Sequence, residues 1–337
     1  MKSIVCEQPK KFEMKEVNTP HALEKEVLIK IKRIGICGTD LHAYNGNQPF
    51  FTYPRVLGHE LAGTVEELGK GVTGWSKGDQ VTVIPYLNCG KCIACRHEKT
   101  NCCENMQVIG VHKDGGMCEY LSVPETNLLS TKGLSLEQTA LVEPLSISAH
   151  AVRRANISEN ETVVVIGCGP IGLGVMRIAK LMGARVISMD VNDDRLRVSR
   201  EWAKVDDTIN VLEDGLDQLS QITKSELATK VFDATGNQLS MNQSFKYVSH
   251  GGTLVFVGLM NKDITFFDPD FHKKEITLLA SRNANQQDFK YTIEKMRTGE
   301  ITINGFHTHH CSFDEMLEQF PNWLNPEEKV IKAIVEL

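Results

Sequence analysis

No apolar run in this 337-residue chain is long enough to cross a bilayer. The longest, Val163 to Met176, is broken by four glycines and a proline, whereas a spanning helix needs about 20 apolar residues. The opening MKSIVCEQPKKFEMKEV lacks the apolar core of a secretory signal, so a cytoplasmic location and no membrane partner are expected. An excess of positive charge is missing as well. Lys+Arg number 37 and Asp+Glu 43, a net charge of 37 − 43 = −6, which disfavours nucleic acid or an anionic surface as partner. Internal repeats and low-complexity tracts are absent, which removes repeat and disordered architectures.

What is present suits a globular protein: 41% hydrophobic and 24% charged residues, with length enough for two domains. Ten cysteines invite a disulfide reading. Five of them, however, fall between Cys89 and Cys103, and without a signal segment such a cluster reads as a metal site.

The first part carries short extended runs, Ser3–Val5, Glu26–Ile34 and Gly63–Leu68, separated by Gly/Asp turns. The texture changes near Glu143–Ala155. Beyond it Thr162–Ile166 reads as a buried strand, Gly169–Met182 as a helix, Arg185–Asp190 as a strand and Asp193–Ala203 as a helix. Lys230–Asp233, Thr253–Val257 and Glu275–Ala280 read as later strands, and this alternation predicts a parallel α/β sheet. The final strand-like run, Lys329–Val335, could rejoin the first domain.

Gly167, Gly169 and Gly172 form G-x-G-x-x-G, with Pro170 and Ile171 in its variable positions. A strand precedes it, a helix follows, and Asp190 ends the next strand eighteen residues beyond Gly172. In that context Gly167 makes the tight turn, Gly169 lets backbone N–H groups reach a pyrophosphate, and Gly172 lets helix and strand pack closely. Asp190 can accept from both ribose hydroxyls and would repel a 2′-phosphate, favouring NAD over NADP. The plainer alternative is a glycine-rich turn with no ligand. Arg195 could stack near an adenine or simply stand solvated on its helix.

Cys89-x2-Cys92-x2-Cys95-x7-Cys103 places four thiols within fifteen residues, the pattern of a closed structural zinc; four buried free thiols are the alternative. Cys102, adjacent to Cys103, is not expected to ligate. A dispersed group comprises Cys37, His59 and Glu143. One sulfur, one imidazole and one carboxylate leave a fourth position open, as at a catalytic zinc.

With Gly35–His42, Gly58-His59-Glu60, Glu143-Pro144 and Asp233–Gly236 added in this order, the chain resembles the zinc-dependent medium-chain dehydrogenases, a family of alcohol, sorbitol and L-threonine dehydrogenases. The resemblance implies a β-rich GroES-like catalytic domain over 1–145, bearing the structural-zinc lobe. It further implies a Rossmann doubly wound parallel-sheet NAD domain over 146–284, and a segment 285–337 returning to the first. It implies two zincs per chain. Cys37, His59 and Glu143 with water would hold the catalytic one, and Glu60 would be an exchanging or outer group. Thr39 and His42 would relay the proton, although an ST-turn and a surface histidine are their plainer readings. Val257, Gly258 and Leu259, with Ser281, Arg282 and Asn283, would flank the nicotinamide, although Val257 and Leu259 also read as core strand residues. A dimer or tetramer is implied.

A narrower likeness lies in Gly46–Phe51, Tyr53–Leu57, Ala149–Arg154, Phe271–Glu275 and Ser281–Ala284. These blocks resemble the branch that oxidises sugar acids such as L-galactonate at a secondary hydroxyl. A sugar acid or polyol is thus the expected substrate, with Arg282 a candidate for its carboxylate or, equally, for a neighbouring acid or the cofactor. A sorbitol-type or L-threonine-type dehydrogenase is the alternative within the family. A non-catalytic zinc and NAD sensor and a zinc-free quinone reductase are the alternatives outside it.

Overall fold

Thr162–Ile166, with Val163, Val164 and Val165 fully buried, has no polar face to turn to water. A strand of this kind must be covered on both sides, as in a parallel sheet between helices. It pairs in parallel with Arg185–Asp190 on one side and Ala228–Asp233 on the other. This computed structural model describes residues 1–48 and 51–337; Pro49 and Phe50, part of the Gly46–Phe51 block, lie outside the described residues. Among the described residues the sheet has six parallel strands. Their order is Asp207–Asn210, Arg185–Asp190, Thr162–Ile166, Ala228–Asp233, Val248–Phe256, Thr277–Ala280. In chain sequence that is third, second, first, fourth, fifth, sixth. The doubly wound order reverses direction beside Thr162–Ile166, and ligands bind where it does. The sheet and its helices form one unit, Leu145–Asn283 with Asn304–Phe306.

The first crossover helix, Pro170–Leu181, starts with proline at a position that needs no N–H. A Cβ on Gly172 would sit 1.8 Å from the Gly167 carbonyl oxygen, so the helix reaches the strand end only because this residue has no side chain. Several expected elements differ in detail, and the strand expected over Thr253–Val257 begins five residues earlier, as Val248–Phe256. The helix over Asp193–Ala203 is α-helical only for Asp193–Val198 and widens into a π turn at Ser199–Ala203. There the buried Ser199 hydroxyl bonds to the Leu196 carbonyl (2.7 Å) and meets the Ser188 hydroxyl (2.8 Å), drawing the last turn toward the sheet. The strand expected from Glu275 begins at Thr277, because Glu275 (φ 50°) closes the helix Asp268–Lys274 in the left-handed region.

The other unit comprises Met1–Pro144, Ala284–Ile303 and His307–Leu337. Among the described residues its main sheet runs Leu128–Ser130, Gln80–Val83, Glu60–Leu68, Glu26–Ile36, Lys332–Glu336, His307–Ser312, with Tyr120–Pro124 also on Glu26–Ile36. Ile4, Ile29, Ile31, Ile34, Leu57 and Leu61 are fully buried in its core. The strand Glu26–Ile36 is the spine of this sheet. It pairs antiparallel with Glu60–Leu68 along nearly its whole length, and at its end with Lys332–Glu336, so the last strand of the chain returns to the first unit. Lys329, expected within that strand, instead caps a short 3-10 turn with φ 51°. No helix among the described residues is long and apolar enough to cross a membrane.

Gly172→Ala should lower stability by about 1–3 kcal/mol, since the added methyl forces helix and loop apart. Denaturant melts compared with wild type read it, and an unchanged midpoint would contradict the close approach.

Candidate metal centres and dinucleotide site

The thiol lobe is built by two short turns. Cys92 precedes the single helical turn Ile93–Arg96, which carries Cys95, and Cys103 follows the 3-10 turn Thr100–Cys102. The sulfurs of Cys89, Cys92, Cys95 and Cys103 all lie within 4.8 Å of one another. Cys92 Sγ is 3.5 Å from Cys95 Sγ and 3.9 Å from Cys103 Sγ, and none of these cysteines is in a disulfide. Zinc at about 2.3 Å from four sulfurs gives tetrahedron edges of about 3.8 Å, so the lobe fits a closed zinc. Backbone amides favour thiolates here. The N–H groups of Lys91 and Cys92 pull the Cys89 thiol down to about 6, whereas burial pushes Cys103 up to about 11. Cys102 is exposed and stands outside the group.

The second centre hangs from the end of the spine strand. Cys37 follows Ile36 and opens the helix Gly38–Tyr44. Asp40, in the helix's first turn, accepts from the Cys37 N–H (2.9 Å) and the Gly58 N–H (3.2 Å), and so binds together the two loops that carry Cys37 and His59. Its Oδ1 is 3.7 Å from His59 Nδ1, beyond a normal hydrogen bond. Ligand atoms of Cys37, His59 and Glu60 lie within 4.8 Å of one another.

Glu143 is not in that trio but is buried nearby in charge terms. Burial opposes the charge of His59, yet Asp40, Cys37 and Glu143 outweigh it and hold the imidazole well above its usual range. Burial likewise pushes the Glu143 carboxyl up to about 7, with His59 opposing and Glu60 adding. One Glu143 oxygen accepts from the Tyr86 hydroxyl, while Oε2 is buried without a hydrogen-bond partner, as is His59 Nδ1. An orphan carboxylate oxygen among so many acidic groups fits a bound cation.

Glu60 has a partner. The buried Lys332 ammonium donates to Glu60 Oε1 (2.6 Å), Glu60 Oε2 (2.9 Å) and the Ile36 carbonyl (3.1 Å). Thr39 and His42 lie three apart on the helix after Cys37, one half-buried and the other exposed. The sequence alone assigns no role to Asp40, Tyr86 or Lys332. Asp40 had a signal, a carboxylate three residues into a helix start. Lys332 had none, being 272 residues from its partner.

The dinucleotide loop lies in the other unit. Gly167 adopts φ +95°, and a Cβ there would press on Thr235. Asp190 accepts from the Cys168 N–H (2.6 Å) and the Asn192 N–H (3.0 Å), so it shapes the loop. A carboxylate has about four lone-pair directions, leaving capacity for hydroxyls. Arg195 is exposed. Val257–Leu259 and Ser281–Asn283 follow Phe256 and Ala280, which are register partners, so both segments emerge side by side at the strand ends. Leu259 is 73% exposed, which removes its core reading, while Val257 is half-buried. Beside them Gly236, Asn237, Leu239 and Met260 line a recess of about 460 Å³. A larger one, about 570 Å³ and lined by Phe245, Phe266, Phe271 and Lys274, opens by residues that precede strands, away from the glycine loop.

A doubly wound cofactor fold, a β-rich unit with a four-sulfur lobe and a converged Cys–His–carboxylate centre together define a class: the chain belongs to the zinc-binding alcohol dehydrogenase family. Residues 23–133 match the alcohol dehydrogenase GroES-like domain and residues 170–298 the zinc-binding dehydrogenase domain. Among known proteins, L-galactonate-5-dehydrogenase of Escherichia coli (strain K12) is 45% identical, covering 99% of this chain and 98% of that protein. The alcohol dehydrogenase RspB of Escherichia coli CFT073, solved with NADH, superposes with a TM-score of 0.94 at 30% identity, covering 100% and 99% of the two chains. A zinc-binding dehydrogenase of Sinorhizobium meliloti 1021, solved with NADP, gives 0.92 at 27% identity over 100% and 99%. The protein is an oxidoreductase of the zinc-type alcohol dehydrogenase kind.

Proposed function

We propose that this enzyme uses NAD and two zincs per chain to oxidise a secondary hydroxyl of a six-carbon sugar acid, L-galactonate or a close analogue, to the ketone. The observation that carries the metal reading is the converged Cys37–His59–Glu60 trio, with Glu143 Oε2 buried and unpartnered, in a chain that also holds the closed thiol lobe. Converged donors of this kind argue against a zinc-free reductase. When bound, zinc supplies Lewis acidity toward a hydroxyl oxygen and the dinucleotide supplies a hydride acceptor.

The remaining tasks fall to the chain. Cys37 and His59 with Glu143 provide three donors and leave one position for water or substrate, as Glu60 is engaged elsewhere. Tyr86 fixes one Glu143 oxygen and leaves the other, buried and unpartnered, to serve as the ligand. Oxidising an alcohol removes a hydride and a proton. The Thr39 hydroxyl accepts the proton from the substrate oxygen as it passes its own outward, and the exposed His42 takes up the relayed proton and gives it to water. Asp190 takes the ribose hydroxyls and disfavours a 2′-phosphate. The substrate class rests on the 45% identity to L-galactonate-5-dehydrogenase along nearly the whole of both chains. Arg282, at the exposed end of Thr277–Ala280, is the proposed partner of the substrate carboxylate.

Asp190→Ala should weaken NAD far more than NADP, as titrations with each cofactor will show; an unchanged preference removes Asp190 from cofactor choice. Thr39→Val should cost about 10²–10⁴-fold in turnover while metal content and cofactor affinity persist. Near-normal turnover in that variant would make the hydroxyl structural. The substrate is tested by kcat/KM for L-galactonate, its uncharged polyol counterpart and ethanol. The acid should win, and Arg282→Met should narrow its lead. A polyol ahead by about tenfold, about 1.4 kcal/mol in transition-state binding, would replace the sugar-acid reading with a polyol dehydrogenase.

A further inference from the structure

Glu60 stands where two demands meet. One of its oxygens lies within 4.8 Å of both the Cys37 sulfur and a His59 nitrogen, within reach of a shared metal. Both oxygens are at the same time engaged by Lys332, at 2.6 and 2.9 Å. An ammonium has three protons, and the third goes to the Ile36 carbonyl at 3.1 Å, so Lys332 has no donor left and cannot swing away without losing all three bonds. Neither side chain meets solvent to any extent: Glu60 is 0% and Lys332 2% exposed.

The backbone is arranged for this contact. Glu60 and Lys332 sit on strands that do not touch, separated by Glu26–Ile36. Gly35 on the intervening strand is in register with Glu60 on one side and Ile334 on the other. A Cβ on Gly35 would fall 2.2 Å from Glu60 Oε2. The missing side chain thus opens a gap over the middle strand, and the carboxylate lies in it on its way to the lysine. Two apolar residues would hold the same strands together at less desolvation cost, so sheet stability alone does not account for a buried ion pair here. Glu143 presents the opposite condition, with one oxygen held by Tyr86 and the other buried and unpartnered.

We propose that Lys332 is a positioning residue that holds the Glu60 carboxylate off the metal, so that Glu143 serves as the carboxylate ligand and one coordination position stays open for substrate. This rests on the catalytic-metal reading above. It makes the last strand of the chain part of the metal centre, through a side chain that touches no metal itself. Removing the lysine frees a second carboxylate within reach of the ion, and the open position fills.

The test introduces cobalt(II) into the open site of the full-length protein, leaving zinc in the thiol lobe. Metal content, visible absorption and the rate of release to a chelator are then measured for wild type, Glu60→Gln, Lys332→Met and the double variant. Glu60→Gln keeps the shape and the contact with Lys332. It should retain the wild-type four-coordinate spectrum and a release rate within about twofold, since outer groups that do act on a metal change affinity by about 10–100-fold. Lys332→Met should weaken the visible bands as a fifth ligand joins and slow release by about tenfold or more. The double variant should return to the wild-type spectrum. A Glu60→Gln protein with an altered spectrum and faster release makes Glu60 a resting ligand and overturns the proposal. A wild-type spectrum in Lys332→Met also overturns it, and if that variant does not fold the Glu60→Gln result decides. Wild-type protein that takes up metal only in the thiol lobe defeats the catalytic-metal reading itself, an outcome distinct from loading that is indifferent to Lys332.

Discussion

The strand Glu26–Ile36 is hydrogen-bonded on both sides, and the reactive centre is suspended from its end. A strand so enclosed cannot shift or slip without breaking several ladders, so Cys37, the next residue, is delivered to one place. The neighbouring strands supply the rest. Glu60 begins one of them, with His59 just ahead of it, and Lys332 begins another. Asp40 then ties the Cys37 turn to the Gly58 loop with two amide bonds, which sets the sulfur and the imidazole close together.

The centre is dominated by negative or potentially negative groups. Cys37, Asp40, Glu60 and Glu143 surround the His59 imidazole, and among the described residues Lys332 is the permanent cation buried with them. Burial raises the cost of every unpaired charge. The consequences are visible in the carboxyls of Asp40 and Glu143, both pushed upward chiefly by burial. A further cation is the natural complement of this site. The thiol lobe solves a different problem with different means, using short turns and backbone amides at the surface to gather four sulfurs where no strand could.

Much of this was legible because some signals are local. The glycine loop needs only a strand, a tight turn and a helix in succession, and Gly167 and Gly172 occupy positions where a Cβ would collide. The four thiols lie within one short stretch whose length restricts how far apart they can be. The helix from Asp193 was less legible, since its π turn depends on Ser188 of a neighbouring strand meeting Ser199. Leu259 reads as core by its chemistry, yet it follows a strand end and points out of the packed interior.

Local order thus determined the cofactor loop, the thiol lobe, the alternation of strands and helices, and the family. Tertiary structure alone decided which carboxylate is already engaged. Glu60 and Glu143 are the same side chain by chemistry, and nothing near either one in the chain distinguishes their roles. The difference comes from a tyrosine 57 residues before one and a lysine 272 residues after the other. Both contacts cross between segments remote in the chain, and such contacts are set by how the sheet closes. Spacing along the chain carries no record of them.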